Sequence, residues 1–139
     1  MQIEQDTPKP PAFNRPDDAS ALMHLKLPIE VDPYGIAANT PGAKLDAGKM
    51  LPWLCISGFS RALTCVAQVT TQGARKYTPN GWVSVADGEA RYMEAFGRHM
   101  LALGRGEVLD GDTGCMHHAQ MIWNALAALE LQLQREEIT

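Results

Sequence analysis

The sequence predicts an all-α fold: a bundle of antiparallel helices with an extended proline-rich N-terminal arm. Three observations carry this. Apolar residues recur at helical spacing in three segments of the C-terminal part. No segment shows the apolar–polar alternation of a half-buried strand. Seven of the nine prolines (Pro8, Pro10, Pro11, Pro16, Pro28, Pro33 and Pro41) fall in the first 41 residues, which denies that stretch continuous helix.

Residues 1–45 therefore read as an arm with turns at Asn14–Asp18 and Asn39–Gly42. Its apolar residues Leu22, Met23, Leu25, Leu27, Ile29, Val31 and Tyr34 suit docking on the helical body or on a partner subunit. Residues 46–139 form the helical domain. The first helix is expected from Pro52 to Gln72, with Phe59, Leu63, Val66 and Val69 as its stripe and Gly73 as its stop. A second is expected from Val85 to Leu103, where Ser84 and Asp87 resemble a capping box and Phe96, Met100 and Leu103 supply the apolar stripe. The third is expected from Cys115 to Arg135, with Asp112 or Thr113 as N-cap and Met116, Ala119, Trp123, Leu126 and Leu133 in period. Short connections between these segments favour antiparallel neighbours.

Composition excludes several classes. At 139 residues the chain supports one domain with a real core, and 45% hydrophobic content is ordinary for a globular protein. No apolar run approaches a membrane span, and the N-terminus lacks a signal-peptide pattern, so a cytoplasmic setting without membrane partners is expected. Cys55, Cys65 and Cys115 cannot all pair, which fits reduced thiols. A net charge of −4 argues against a nucleic-acid polymer as partner, though not against a small anionic substrate.

The densest chemistry lies in Gly106-Glu107-x-x-Asp110-x-Asp112-x-Gly114-x-x-His117, which places three carboxylates and an imidazole within eleven residues. Close carboxylates repel one another until a cation arrives, and hard oxygens suit Mg²⁺ or Mn²⁺. A solvated loop is the plainer alternative. The third helix adds His117, Gln120 and Asn124 on one face, with no charged residue between Asp112 and Glu130. A solvated face would carry Lys or Glu, so this stripe is expected to face a pocket. On the second helix Glu94 and Arg98 can pair at i,i+4, and His99 projects from the adjacent sector. Between the first two helices, Arg75 and Lys76 can bind phosphate oxygens while Tyr77 and Trp82 offer faces for a base. Helix capping by the cations and core packing of Trp82 explain the same residues. No Walker loop or GxGxxG is present.

An ordered series of short motifs runs through the chain. It begins with Gly42-Ala-Lys44-Leu-Asp46-x-Gly48-Lys49, Leu51-Pro52, Gly73-Ala-Arg-Lys76-Tyr77 and Asn80-x-Trp82. Glu94-Ala-x-x-Arg98-His99-Met, the acidic turn, and His117 followed by Trp123-Asn124-Ala-Leu complete it. Over residues 42–130 this resembles the phage dATP/dGTP diphosphohydrolases, a MazG/HisE-like group of all-α nucleotide pyrophosphohydrolases. Many relatives carry a second histidine where this chain has Gln120, and the ExxE…ExxD pattern of MazG proper is reduced to Glu107-x-x-Asp110.

The resemblance implies Mg²⁺- or Mn²⁺-dependent cleavage of a purine deoxynucleoside triphosphate, dGTP ahead of dATP, to the monophosphate and pyrophosphate. It also implies a homodimer or homotetramer, acting in the host cytoplasm if the chain is phage-encoded. On it, Glu94, Glu107, Asp110 and Asp112 become the candidate metal ligands. Glu107, Asp110, His99 and His117 become the candidate catalytic residues. Arg75, Lys76 and Arg98 would neutralise the phosphate tail, Tyr77 or Trp82 would contact the base, and Gln120 and Asn124 would read a purine edge or support the metal ligands. The competing classes fit less well. An HD-domain phosphohydrolase needs His-Asp where this chain has His117-His118, and a zinc site on Cys115, His117 and His118 is too tightly spaced. A non-enzymatic helical oligomer leaves the acidic turn unexplained.

Overall fold

The computed structural model describes residues 30–137. The chain divides into two compact units, Met1–Lys49 and Met50–Thr139. In the first, the described segment is a loop wound around the buried Asp32. Its carboxylate accepts the backbone N–H groups of Tyr34 and Lys44, both at 2.8 Å, and of Ile36 at 3.4 Å. Those bonds hold the Asp32 carboxyl below the usual carboxylate range, the Lys44 bond most of all. Expectations that fall on residues 1–29, including the Asn14–Asp18 turn and the docking of Leu22 to Ile29, lie outside the described residues.

The second unit holds four α-helices: α1 (Pro52–Gly58), α2 (Ser60–Lys76), α3 (Gly88–Gly104) and α4 (His117–Glu137). Among the described residues there is no strand, only one isolated bridge between Leu109 and Met116. The all-α expectation holds, and several boundaries need correction. The first expected helix is two: the backbone leaves helical geometry at Phe59 (φ −112°, ψ 20°), right after Gly58. Gly73 does not stop α2, which runs on to Lys76 and so places Arg75 and Lys76 in its last turn, where cations favour a helix. The Ser84–Asp87 capping box does not form. Gly81–Ser84 is a 3-10 turn, and Asp87 adopts a left-handed conformation (φ 52°) without a side-chain cap bond.

Helices α3 and α4 pack antiparallel. Arg135 near the end of α4 pairs with Glu89 in the first turn of α3 at 2.8 Å, while His99 in the last part of α3 meets His117 at the start of α4. Small side chains let the backbones approach: Ala102, Ala119, Ala127 and Ala128 are all buried. Gly88 sits so close to α4 that an added Cβ would stand 2.7 Å from Leu131 Cδ1. Above this contact, Trp82, Tyr92 and Trp123 pack edge to face, with centroids 5.6–6.5 Å apart. The Tyr92 hydroxyl donates to the Trp82 carbonyl at 2.9 Å. Trp82 is thus half-buried in an aromatic cluster, the packing alternative to base contact. No described helix is long and apolar enough to cross a membrane.

Candidate active site

The acidic turn links α3 to α4, and the end of α3 aims it. Gly106 takes φ 85°, its N–H bonds to the Leu103 carbonyl at 2.9 Å, and the Glu107 N–H reaches the Ala102 carbonyl at 3.1 Å. This is a Schellman cap, and it needs a residue that tolerates the left-handed region. It folds Glu107 back over the last turn of α3, where Arg105 Nε donates to Glu107 Oε1 at 2.7 Å. Beyond it the chain reverses as a tight hairpin. Asp110 N–H bonds to the Cys115 carbonyl, Gly114 N–H to the Asp110 carbonyl, and His117 N–H to the Val108 carbonyl. The reversal occupies the residues expected to open the third helix, so α4 starts at His117 and neither Asp112 nor Thr113 is its N-cap.

Asp110 is the organising carboxylate. Oδ2 accepts from Gln120 Nε2 and from Thr113 Oγ1, both at 2.9 Å, and Oδ1 accepts from the Asp112 N–H at 3.1 Å. These donors hold its carboxyl below the usual range, Gln120 first among them, against the opposing effect of burial. Oδ2 is saturated; Oδ1 keeps an open lone pair. Thr113 is a hub: Oγ1 also accepts the Cys115 N–H at 3.2 Å, and its carbonyl accepts Gln72 Nε2 from α2 at 2.9 Å.

Behind the turn stand two imidazoles. His99 Nδ1 and His117 Nδ1 are 2.9 Å apart, so one carries the shared proton and the other accepts it. His117 is 5% exposed, and its Nε2 is a buried polar atom without a hydrogen-bond partner. That atom points toward Glu107, with Oε2 3.9 Å away. Burial, and then the neighbouring His117, push the His99 imidazole below its ordinary value.

The structure therefore brings together Glu107, Asp110, His99, His117 and Gln120. The polar stripe of α4 does face inward: His117, Gln120 and Asn124 are all buried. Gln120 Nε2 donates to Asp110 at 2.9 Å, and Asn124 Nδ2 donates to the Gln120 main-chain carbonyl at 2.8 Å, so the donor end of each amide is engaged within the protein. Asp112 lies on the turn but exposed. Glu94 and Arg98 are exposed on α3 and, among the described residues, form no ion pair with each other. Nor do any three His, Cys, Asp or Glu side chains among the described residues gather to hold a metal, so neither the four-carboxylate set nor the Cys115–His117–His118 zinc alternative forms a closed site. What the geometry does fit is a cation held at few protein donors with open positions. The two donors that face each other are the orphaned His117 Nε2 and Glu107 Oε2, 3.9 Å apart, and Asp110 stands on the same turn.

Sequence reading missed Gln72 and missed Thr113 as anything but a cap. Thr113 follows Asp110 by three residues, a spacing that signals a side-chain bond across a turn. The Gln72 contact spans 41 residues and has no local signature. Through it, Arg75 and Lys76 lie within one helical turn of a residue that touches the acidic turn. Both are exposed, with the Lys76 ammonium over the Tyr77 ring at 5.4 Å from the centroid.

A family model described as dATP/dGTP diphosphohydrolase, N-terminal, matches residues 39–139. The chain belongs to the dATP/dGTP diphosphohydrolase family. It is accordingly a nucleoside triphosphate pyrophosphohydrolase, as its resemblance implied. Neither the curated proteins nor the solved structures give a match to it. The matched region includes α1 to α4 and the whole acidic turn.

Proposed function

We propose that this chain hydrolyses a purine deoxynucleoside triphosphate between its α- and β-phosphates, with dGTP ahead of dATP, in a reaction that requires Mg²⁺ or Mn²⁺. The observation that carries the reading is the ionised Asp110, fixed by Gln120 and Thr113 beside the orphaned His117 Nε2 and Glu107. The chemistry such a cation supplies when bound is charge neutralisation on the phosphates and acidification of water. Glu107 and His117 would hold it, with Asp110 on the same turn able to reach its bound water or phosphate. Asp112 and Glu94, being exposed, are free to reach a phosphate-bound ion from the rim.

The chain's own residues do the rest. Asp110 keeps its charge because three donors favour the carboxylate, so its open lone pair is ready as a ligand or proton acceptor. The His99–His117 pair holds one proton between its two Nδ1 atoms, which orients both rings without moving them from their packing positions. Arg75 and Lys76 at the end of α2, with Arg98 on α3, supply cationic donors for the polyphosphate. Tyr77, largely exposed, offers an aromatic face for the purine.

The active form is a homodimer or homotetramer. Trp53, Leu54 and Phe59 around α1 are between 62 and 72% exposed, and Leu126 and Leu129 on α4 are half exposed. A seven-residue helix has little stability alone, so α1 needs a cover that its own unit does not give. An apolar groove of about 290 Å³, lined by Phe96, His118, Met121, Ile122, Leu126 and Leu129, supports the same reading. In a phage-encoded setting the activity removes a purine triphosphate from the host's nucleotide pool.

The test is product analysis by ³¹P NMR with each deoxynucleoside triphosphate and Mn²⁺. Monophosphate and pyrophosphate in equal amounts, fastest from dGTP, are expected. Orthophosphate alone, or intact tripolyphosphate, would overturn α–β cleavage.

A further inference from the structure

We propose that His117 Nε2 is a direct ligand of the active-site cation, facing Glu107, and that His99 is the positioning residue that fixes the tautomer this requires. The inference rests on the cation-dependent reading given above, and it assigns roles to two histidines that the sequence leaves interchangeable.

The argument starts from the pair distance. With 2.9 Å between the two Nδ1 atoms, one ring is Nδ1–H and the other is an acceptor there. If His117 were the acceptor, its proton would sit on Nε2, buried, with no acceptor in hydrogen-bond range. If His117 is the Nδ1–H donor, Nε2 presents a bare lone pair, and His99 carries its own proton on Nε2. The second arrangement is the one metal-binding histidines adopt: the far nitrogen donates to a fixed partner while the near one ligates.

The spacing to Glu107 agrees. A 3.9 Å separation is too long for a hydrogen bond between His117 Nε2 and Glu107 Oε2. Imidazole and carboxylate ligands each stand about 2.0–2.2 Å from a small divalent ion, so one ion can join donors up to about 4.3 Å apart. Arg105 already holds the other oxygen of Glu107, which leaves Oε2 for the ion. Glu107 is half exposed and His117 is not, so the remaining positions open to solvent, where phosphate oxygens and water can fill them.

A nitrogen donor changes which ion the site prefers. Mg²⁺ and Ca²⁺ take oxygen ligands, whereas imidazole suits first-row transition ions. The site therefore selects Mn²⁺, and the later ions of that row, over Mg²⁺ and Ca²⁺.

The experiment is pulsed EPR on the full chain loaded with Mn²⁺ alone, without nucleotide. The expected result is nitrogen modulation from one imidazole, which changes to the ¹⁵N pattern when the protein is made with ¹⁵N-histidine and so needs no variant. It should vanish in His117→Gln and survive in His118→Gln. His99→Phe should weaken Mn²⁺ binding about 10–100-fold, the usual loss when a ligand's supporting partner is removed. Mn²⁺ bound with oxygen features only, or no Mn²⁺ binding by the nucleotide-free chain, overturns the proposal. An enzyme that cleaves dGTP with an all-oxygen Mn²⁺ signal keeps its proposed function and loses this ligand assignment. A chain with the imidazole signal but no turnover does the reverse.

Discussion

Gln72 donates its side-chain amide to the Thr113 main-chain carbonyl at 2.9 Å, and so joins the end of α2 to the acidic turn. The bond ties the helix that ends in Arg75 and Lys76 to the turn that carries the carboxylates. Gln72→Ala should raise KM for the triphosphate about 3–10-fold while kcat changes less than about twofold, because an exposed hydrogen bond contributes roughly 0.5–1.5 kcal/mol. Steady-state kinetics decides it. An equal loss in kcat at unchanged KM would place Gln72 in the chemistry instead.

Glu107→Gln and Asp110→Asn should each reduce kcat more than about 100-fold, since lost charge stabilisation at a metal centre costs several kcal/mol. Far-UV circular dichroism should keep the helical signal in both. Near-normal turnover at saturating Mn²⁺ in both variants would return the turn to a solvated loop.

Thr113 tests the hub. Thr113→Ser keeps the hydroxyl that donates to Asp110 and accepts from Cys115, and should lower Tm by no more than a few degrees. Thr113→Val removes it and should cost roughly 1–3 kcal/mol, about 4–15 °C for a unit of this size. Differential scanning fluorimetry of the two variants suffices, and equal Tm values would deny the hub.

The pH dependence of stability follows from two depressed groups. Asp110 is held low by Gln120, so its contribution is fully present above about 4, the unfolded value, and is lost as pH falls through the lower folded value. His99 is held low by burial and by His117, so its contribution is present above about 6.5 and is lost as pH falls below that toward its folded value. Both signs agree. Urea midpoints should decline from pH 7 to 5 and fall more steeply below 4. A midpoint that rises on acidification from 7 to 5 would show that His99 gains, rather than loses, on protonation.

Leu126→Glu should break the proposed homo-oligomer. Leu126 lines the groove of α3 and α4, away from Glu107 and Asp110, and a charge there cannot be covered by an apolar partner. Light scattering should give a multiple of 15.2 kDa for the natural chain and a shift toward 15.2 kDa for the variant. A monomeric, fully active natural chain refutes the oligomer.

The helices were legible because their stripes are local. Phe96, Met100, Trp123 and Leu126 repeat within one segment, and periodicity needs nothing more. The break at Phe59 was hidden because Phe59 also satisfies the apolar period of a single long helix. Ser84 and Asp87 match a capping pattern in letters, but Asp87 lies at φ 52° and cannot cap as that pattern requires. The inward polar stripe was readable from the missing charges on α4. Its partners were not, since Gln120 meets Asp110 and His117 meets His99 only once the chain has reversed between α3 and α4.

The aromatic cluster of Trp82, Tyr92 and Trp123 also divides the protein's light emission into two channels. Two of its three indoles sit in one half-buried cluster and the third, Trp53, stands on the exposed α1. The clustered pair emits from a shielded environment and follows the clasp of α3 on α4. Trp53 emits from water until α1 is covered. Folding of a protomer and coverage of its first helix are thus two separate optical events within one chain.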